Sequence, residues 1–372
     1  MTHLRDLFDT NFLAQMIDEG YVSARPHNEF PLVIYNYSNE AMYDQKWNTV
    51  TKQCRGLIAH EDGTIVARPF PKFFNFGETA QPKFVVTGQP AQIYEKMDGS
   101  LGILYFWEGQ WHVATRGSFH SEQAIWATWF IQNSWFDEIG WPTDGYTYLV
   151  EIIYPKNRIV VNYGDREDLS LLAVLDNETG EDVHHLEHTY MWPFSKAWRY
   201  MDTEIQDITH MVHQDEHAGQ EGVVMVWPRP GEPAYRLKVK RADYIEMHRI
   251  VTGMTARKVW EIAKDGLYVE TIIAKGVPEE WADWVREKHT EIVQAKDSIL
   301  ERTHARFDQL MADPNLKKEN GHSIDRKKFA KVAKRWDEPG MLFSLLDGKD
   351  ISEKAWQMVY PPHEVPFGGD FQ

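Results

Sequence analysis

The sequence predicts an α+β protein, with a first domain of antiparallel sheets and flanking helices over residues 1–244 and an all-helical domain over residues 245–372. Two observations predict it. Short β-branched and aromatic runs, punctuated by turn residues, fill the first part, whereas apolar positions at helical spacing take over after about residue 244. A chain of 372 residues is long enough for more than one core, and 42% hydrophobic content with 15 Trp and 18 Phe excludes a disordered chain.

In order, Pro31–Tyr35, Gly63–Ala67 and Phe84–Val86 read as strands. Ile93-Tyr94-Glu95, Leu101–Trp107 and Trp111–Thr115, separated by Asp98-Gly99 and Glu108-Gly109, read as a three-stranded meander with turn chemistry between the strands. Ser121 is placed to start a helix through Glu122–Trp126. Tyr146–Tyr154, Leu169–Val174, Gly222–Trp227 and Tyr235–Val239 complete the strands. In the second part, Trp281, Trp284, Val285, Ile292, Val293, Ile299 and Leu300 line one face of a helix over Glu280–Met311. Pro278 with Glu279 and Glu280 forms its start, and Asp325–Trp336 and Ser352–Val359 read as shorter helices.

The net charge of −16 argues against a nucleic-acid binder, but its distribution does not. Residues 1–244 hold 20 basic and 34 acidic side chains; residues 245–372 hold 20 and 22. Residues 317–335 alone carry eight basic side chains against Glu319 and Asp325. No run of 18 apolar residues offers a membrane span, and Cys54, the only cysteine, can form no internal disulfide. The N-terminus lacks a signal-peptide core, so the expected location is cytoplasmic.

The central motif is Glu95-Lys96-Met97-Asp98-Gly99-Ser100, a lysine between a strand and a turn. Alone it is weak, since an exposed lysine beside a hairpin has the same pattern. Four partners follow it in order: Glu151 within an apolar strand, Glu221 at the head of another, then Lys238 and Lys240 at alternating positions on one sheet face. Attack of an amine on a phosphate needs a nucleophile, cations on the phosphates and carboxylates for a divalent ion. Lys238 and Lys240 near Lys96 are also expected to depress its pKa. From about 10.4, two or three units amount to roughly 3–4 kcal/mol.

These blocks resemble the covalent nucleotidyltransferase superfamily of ligases and capping enzymes, and the flanking sequence resembles the RNA ligase 1 family of T-even-type bacteriophages. The resembling stretches are Tyr35-Asn36-Tyr37, Cys54-Arg55-Gly56, Arg68-Pro69, Lys72-Phe73-Phe74-Asn75, the Lys96 motif, Gly117-Ser118 and Ser121–Ala124. They continue through Asn157–Val160, Asn177–Gly180 and Lys238–Lys240 to Asp243-Tyr244.

The resemblance implies a nucleotidyltransferase domain and an ATP-dependent RNA ligase in which Lys96 carries AMP. ATP would be met by Tyr35, Arg55, Lys72, Phe74, Glu151, Lys238 and Lys240, with Gly99, Ser100, Arg116 and Tyr244 as further essential side chains or positions. Val174 and Val223 are candidates for packing on adenine, with core burial the simpler account. Mg²⁺, for which Mn²⁺ can substitute, would be held by Glu221 and Glu151. Glu279 and Glu280 match an acidic pair linked to metal, although helix-start electrostatics also explains them. The partner would be RNA with 5′-phosphate and 3′-hydroxyl ends, such as broken tRNA, acted on by a monomer in the host cytoplasm if the chain is phage-encoded.

The basic helix with Arg326, Lys327, Lys331 and Lys334 is the candidate RNA contact, a solvated face being the alternative. The chain departs from the family pattern at two positions where that pattern has lysines and this sequence holds Ala114 and Arg116. A DNA-acting nucleotidyltransferase, normally continuing into a β-rich domain, and an RNA-binding protein on a catalytically degenerate scaffold are the other readings. His184 and His188 share a helix-like spacing but have no partner set for zinc.

Overall fold

The computed structural model describes residues 2–86, 88–134, 144–183, 192–200, 208, 219–274, 277, 279–318 and 323–366. Two compact units divide the chain, Met1–Glu246 and Met247–Gln372. His184, His188 and Pro278 lie outside the described residues.

Among the described residues the first unit holds three four-stranded sheets. The first is a ladder of β1 (Val22–Pro26), β2 (Leu32–Tyr37), β3 (Arg55–His60) and β4 (Ile65–Ala67). The later strands are β5 (Phe74–Asn75), β6 (Gln92–Glu95), β7 (Ser100–Trp107), β8 (Gln110–Thr115), β9 (Tyr146–Ile153), β10 (Asp168–Asp176), β11 (Gly222–Arg229) and β12 (Glu232–Lys240). They form a second sheet in the order β10-β9-β7-β8 and a third in the order β5-β12-β11-β6.

Alternation along the strands builds the layers. Ile34 and Ile58 of the first sheet meet Ile103, Tyr105, Leu149 and Leu175 of the second. The opposite face of the second sheet, with Leu104, Tyr148, Val150 and Ile152, packs on Ala127 and Ile131 of the helix Glu122–Gln132. Ser121 caps that helix by accepting from the Ala124 N–H. The outer face of the first sheet buries Leu57 and Ala59 against Leu13, Met16 and Val50 from N-terminal helices. In the third sheet Val223, Met225, Leu237 and Val239 share one apolar face, which leaves Lys238 and Lys240 on the other.

The expected meander does not form. β7 pairs with β8 and β9, whereas β6 pairs with β11 in the third sheet, so Lys96–Gly99 crosses between two sheets. Asp98, read as a turn residue, is buried and accepts from Val160, Val161 and Tyr244. Phe84–Val86, read as a strand, lies in a single helical turn, Lys83–Val86, in which Val85 donates to the Pro82 carbonyl and is buried in the third core.

The second unit is helical among its described residues. Its longest helix, Glu279–Ala312, buries Trp281, Val285 and Ile292 with Val251, Val259 and Ile262. Asp325 caps the helix Arg326–Ala333 by accepting from Lys327 and Lys328, and Phe329 and Ala333 enter a second cluster with Leu310 and Leu342.

Candidate active site

β6 and β11 carry Lys96 and Glu221 side by side. Val223 is paired with Glu95, and the Lys96 N–H donates to the Gly222 carbonyl at 2.9 Å. Gly222 has φ +146°, and a Cβ there would lie 2.1 Å from the Val239 carbonyl oxygen, so only glycine fits behind Glu221. Nζ of Lys96 sits 2.6 Å from Oε2 of Glu221, and Nζ of Lys240 sits 2.7 Å from Oε1. One buried carboxylate therefore joins two of the sequence-predicted lysines.

The segment after Lys96 is fixed by its own contacts. Asp98 Oδ2 accepts from the Val160 and Val161 N–H groups, Oδ1 accepts from the Tyr244 hydroxyl at 2.7 Å, and its N–H donates to Tyr163 Oη at 3.0 Å. A Cβ on Gly99 would lie 2.6 Å from the Ile152 carbonyl oxygen and 3.1 Å from Cγ of Glu151. Ser100 donates to Asn157 Oδ1, and Asn157 donates to the Ile152 carbonyl.

Electrostatics differ from the expected pattern. Burial works to lower the Lys96 pKa, but Glu221, Glu151 and Asp98 together outweigh it and hold the ammonium above the usual lysine value. The expected net depression of Lys96 by Lys238 and Lys240 is thus not found, because the nearby carboxylates outweigh their repulsion. The depressed lysine is Lys238, pushed down to about 7 by burial and then by Lys72, Lys96, Arg55 and Lys240.

Those causes trace a second, cationic half of the site. Burial, followed by the Arg55 and Arg116 charges that work against the raising influence of Glu78, lowers Lys72. Burial also lowers Arg55, whose guanidinium faces the Phe73 ring at 5.4 Å and whose Nη1 has no hydrogen-bond partner among the described residues. Lys238 faces the same ring at 5.6 Å, and Arg116 donates to the Tyr37 hydroxyl at 3.1 Å. A half-buried cation cluster with such a guanidinium nitrogen is chemically suited to a polyphosphate.

Glu151 is buried beside Lys96 and pushed up to about 8, first by burial and then, against the pull of Lys96, by Glu221 and Asp98. A carboxyl so short of positive charge suits a cation. No group of three His, Cys, Asp or Glu residues with metal-holding geometry is present among the described residues. Glu151 and Glu221, carboxylates near one another, suit an ion that meets one or two carboxylates and keeps most of its water, as Mg²⁺ commonly does.

Tyr35 is not brought to this cluster. It packs with Leu57 and Cys54 on the outer face of the first sheet, while a bulge at Tyr35/Asn36 leaves Tyr37 as the tyrosine beside Arg116. Phe74 lies under the Lys72 ammonium at 4.1 Å. Val174 and Val223 are core residues, and Ala114 is fully buried with Ile103 and Phe119, so position 114 belongs to the inter-sheet core.

In the second unit Glu279 is exposed and ion-paired with Arg286, which also pairs with Glu270 and Asp283, and among the described residues it belongs to no metal-holding group. Arg326 is engaged by both carboxylate oxygens of Asp347, whereas Lys327, Lys331 and Lys334 are exposed. Sequence reasoning missed Trp47, Phe73, Tyr163 and Asn157 as supporting side chains; Phe73 and Asn157 stood inside motifs read for their neighbours.

The α+β scaffold thus presents a half-buried lysine paired with a buried carboxylate, next to a cluster of further cations. The RNA ligase family profile matches residues 53–244, just over half of the chain, and the chain belongs to that family. A protein of Autographa californica nuclear polyhedrosis virus, named as a bifunctional polynucleotide kinase/RNA ligase, is 28% identical over 277 residues, 67% of this chain. The match spans only 38% of that relative's length. The RNA ligase of Rhodothermus phage RM378 is 21% identical over 87% of this chain and 86% of its own. An archaeal ATP-dependent RNA ligase structure covers 92% of this chain and 96% of its own at 11% identity, with a TM-score of 0.45, a likeness that carries no functional weight.

Proposed function

We propose that the protein is an ATP-dependent RNA ligase that works through a lysyl-AMP on Lys96. The observation that carries this reading is the Lys96–Glu221–Lys240 bridge lying beside the Arg55, Lys72, Arg116 and Lys238 cations. The Lys96 ammonium first gives up a proton to solvent; Nζ then forms a bond to the α-phosphorus as the bond from that phosphorus to the pyrophosphate oxygen breaks, and a second N–H proton leaves to solvent. Arg55, Lys72 and Lys238 hold the phosphates and take up charge as pyrophosphate leaves. AMP then passes to an RNA 5′-phosphate, and a 3′-hydroxyl displaces it to seal the strand.

Glu221 and Glu151 would hold a hydrated divalent cation, which when bound supplies positive charge to the phosphates and offsets the carboxylates that keep Lys96 protonated. Asp98, Tyr163 and Tyr244 keep the Lys96 segment in place, and Ser100 with Asn157 anchors its far end. The substrate class is RNA with a 5′-phosphate and a 3′-hydroxyl, broken tRNA among them, and the exposed Lys327, Lys331 and Lys334 are its proposed contacts in the helical unit.

The test is incubation with α-labelled ATP and Mg²⁺, followed by a denaturing gel. Label retained by the wild type, absent from Lys96→Ala and discharged by pyrophosphate is the expected result. An unlabelled wild type, freed beforehand of bound AMP, would reject the reading in favour of a binding scaffold.

A further inference from the structure

Lys72 stands apart from the other cations of the site. Its ammonium has no carboxylate within ion-pairing distance among the described residues. It donates to the Phe73 carbonyl at 3.2 Å and lies 4.1 Å from the Phe74 ring centre and 5.0 Å from the Trp47 ring centre. Burial and the nearby Arg55 and Arg116 all disfavour its charge. Glu78, beyond ion-pairing distance, works the other way, and the groups in direct contact that favour the charge are the Phe73 carbonyl and the negative faces of two aromatic rings.

Trp47 is built into position. Gln45 adopts φ +51°, and the tight turn it forms lets the Trp47 N–H donate to the Gln45 carbonyl at 2.8 Å. The indole Nε1 donates to the Gln45 side chain at 3.3 Å. Its ring meets Tyr37 at 5.2 Å and Phe74 at 5.6 Å, both edge to face. Tyr37 in turn accepts from Arg116. A single half-buried indole thus touches the supports of two phosphate-facing cations.

We infer that Trp47 is a positioning residue for nucleotide phosphate binding, holding Lys72 through its ring face and Arg116 through Tyr37. This rests on the ligase reading above. The requirement is for an aromatic face, because a side chain of similar bulk without a ring quadrupole would fill the space and leave the ammonium uncompensated.

The test compares Trp47→Leu and Trp47→Phe with the wild type by equilibrium binding of ATP and, separately, by sealing of RNA already adenylated at its 5′ end. Trp47→Leu is expected to weaken ATP binding about tenfold, with Trp47→Phe within about threefold of wild type. Sealing of the adenylated RNA should stay within about twofold for both variants, a result that general unfolding could not give. Equal ATP affinity in all three proteins, equal losses in Leu and Phe variants, or a parallel loss of sealing would overturn the inference while leaving the ligase reading intact. A wild type that neither binds ATP nor takes label would reject that reading and this inference with it.

Discussion

Oε2 of Glu221 lies 2.6 Å from Nζ of Lys96, so the proposed nucleophile is held as an ammonium by the acid that follows it in the reaction site. Burial tends to raise the Glu221 pKa, but Lys96 and Lys240 outweigh that and keep it below the usual carboxylate range. Glu221→Gln should therefore release Lys96 toward its free amine. Peptide mapping after brief treatment with an amine-acylating reagent at pH 8 is expected to show Lys96 modified faster in the variant, since a lower pKa leaves more free amine. An unchanged rate would mean that Glu221 does not govern its protonation.

Glu151 supplies a stability prediction. Its folded pKa of about 8 lies above the ordinary value of 4.5, so the folded state holds a proton that the unfolded chain releases. Stability must then fall as pH rises from about 4.5 to about 8. Glu151→Gln removes that dependence, and thermal melting should find the variant more stable than wild type at pH 8 by at least about 1 kcal/mol, with little difference near pH 4.5.

For Lys238 the sign is opposite. With a folded pKa of about 7 it is largely neutral at pH 8, and an arriving polyphosphate favours its charged form. ATP binding at pH 8 is therefore expected to take up protons, seen as a dependence of the calorimetric heat on buffer ionisation enthalpy. Lys238→Met should abolish most of that uptake and weaken binding by about tenfold or more.

Gly99→Ala forces a Cβ to within 2.6 Å of the Ile152 carbonyl oxygen, where the obstacle is β9 backbone. The strand that carries Glu151 must shift, and displacement of about 1 Å at a reacting centre costs on the order of 100-fold in rate. Lysyl-AMP formation should drop by about that factor, with a lowered melting temperature.

The basic helix divides by pairing. Because Arg326 is already bound by Asp347, Arg326→Ala should leave the salt dependence of RNA binding unchanged. Replacing Lys327, Lys331 and Lys334 together by alanine should reduce the slope of log K against log salt by about 2, if single-stranded RNA lies on that face. Equal slopes would return the helix to a solvated surface.

Much of the first unit was legible because strand alternation leaves a direct mark: Leu237 and Val239 face the core while Lys238 and Lys240 face the site. Three features left no such mark. Asp98-Gly99 has turn chemistry, yet whether β6 pairs with β7 or with β11 depends on partners far along the chain. The bulge that separates Tyr35 from Tyr37 is set by pairing with β3, which sequence periodicity cannot register. The Lys96 charge state left no mark because strand placement fixes which residues share a face but not that the Glu221 carboxylate lies 2.6 Å from the Lys96 ammonium. Trp47 sits in a loop without periodicity, so its ring neighbours were visible only in three dimensions.

The pairing of β6 with β11 also has a consequence during synthesis. Lys96 emerges from the ribosome long before Glu221, Lys238 and Lys240, and the third sheet cannot close until β11 and β12 have followed. A nascent chain halted before residue 221 would carry Lys96 without the acid it pairs with and without Lys238 and Lys240. The proposed nucleophile and the acid that restrains it thus meet only late in translation.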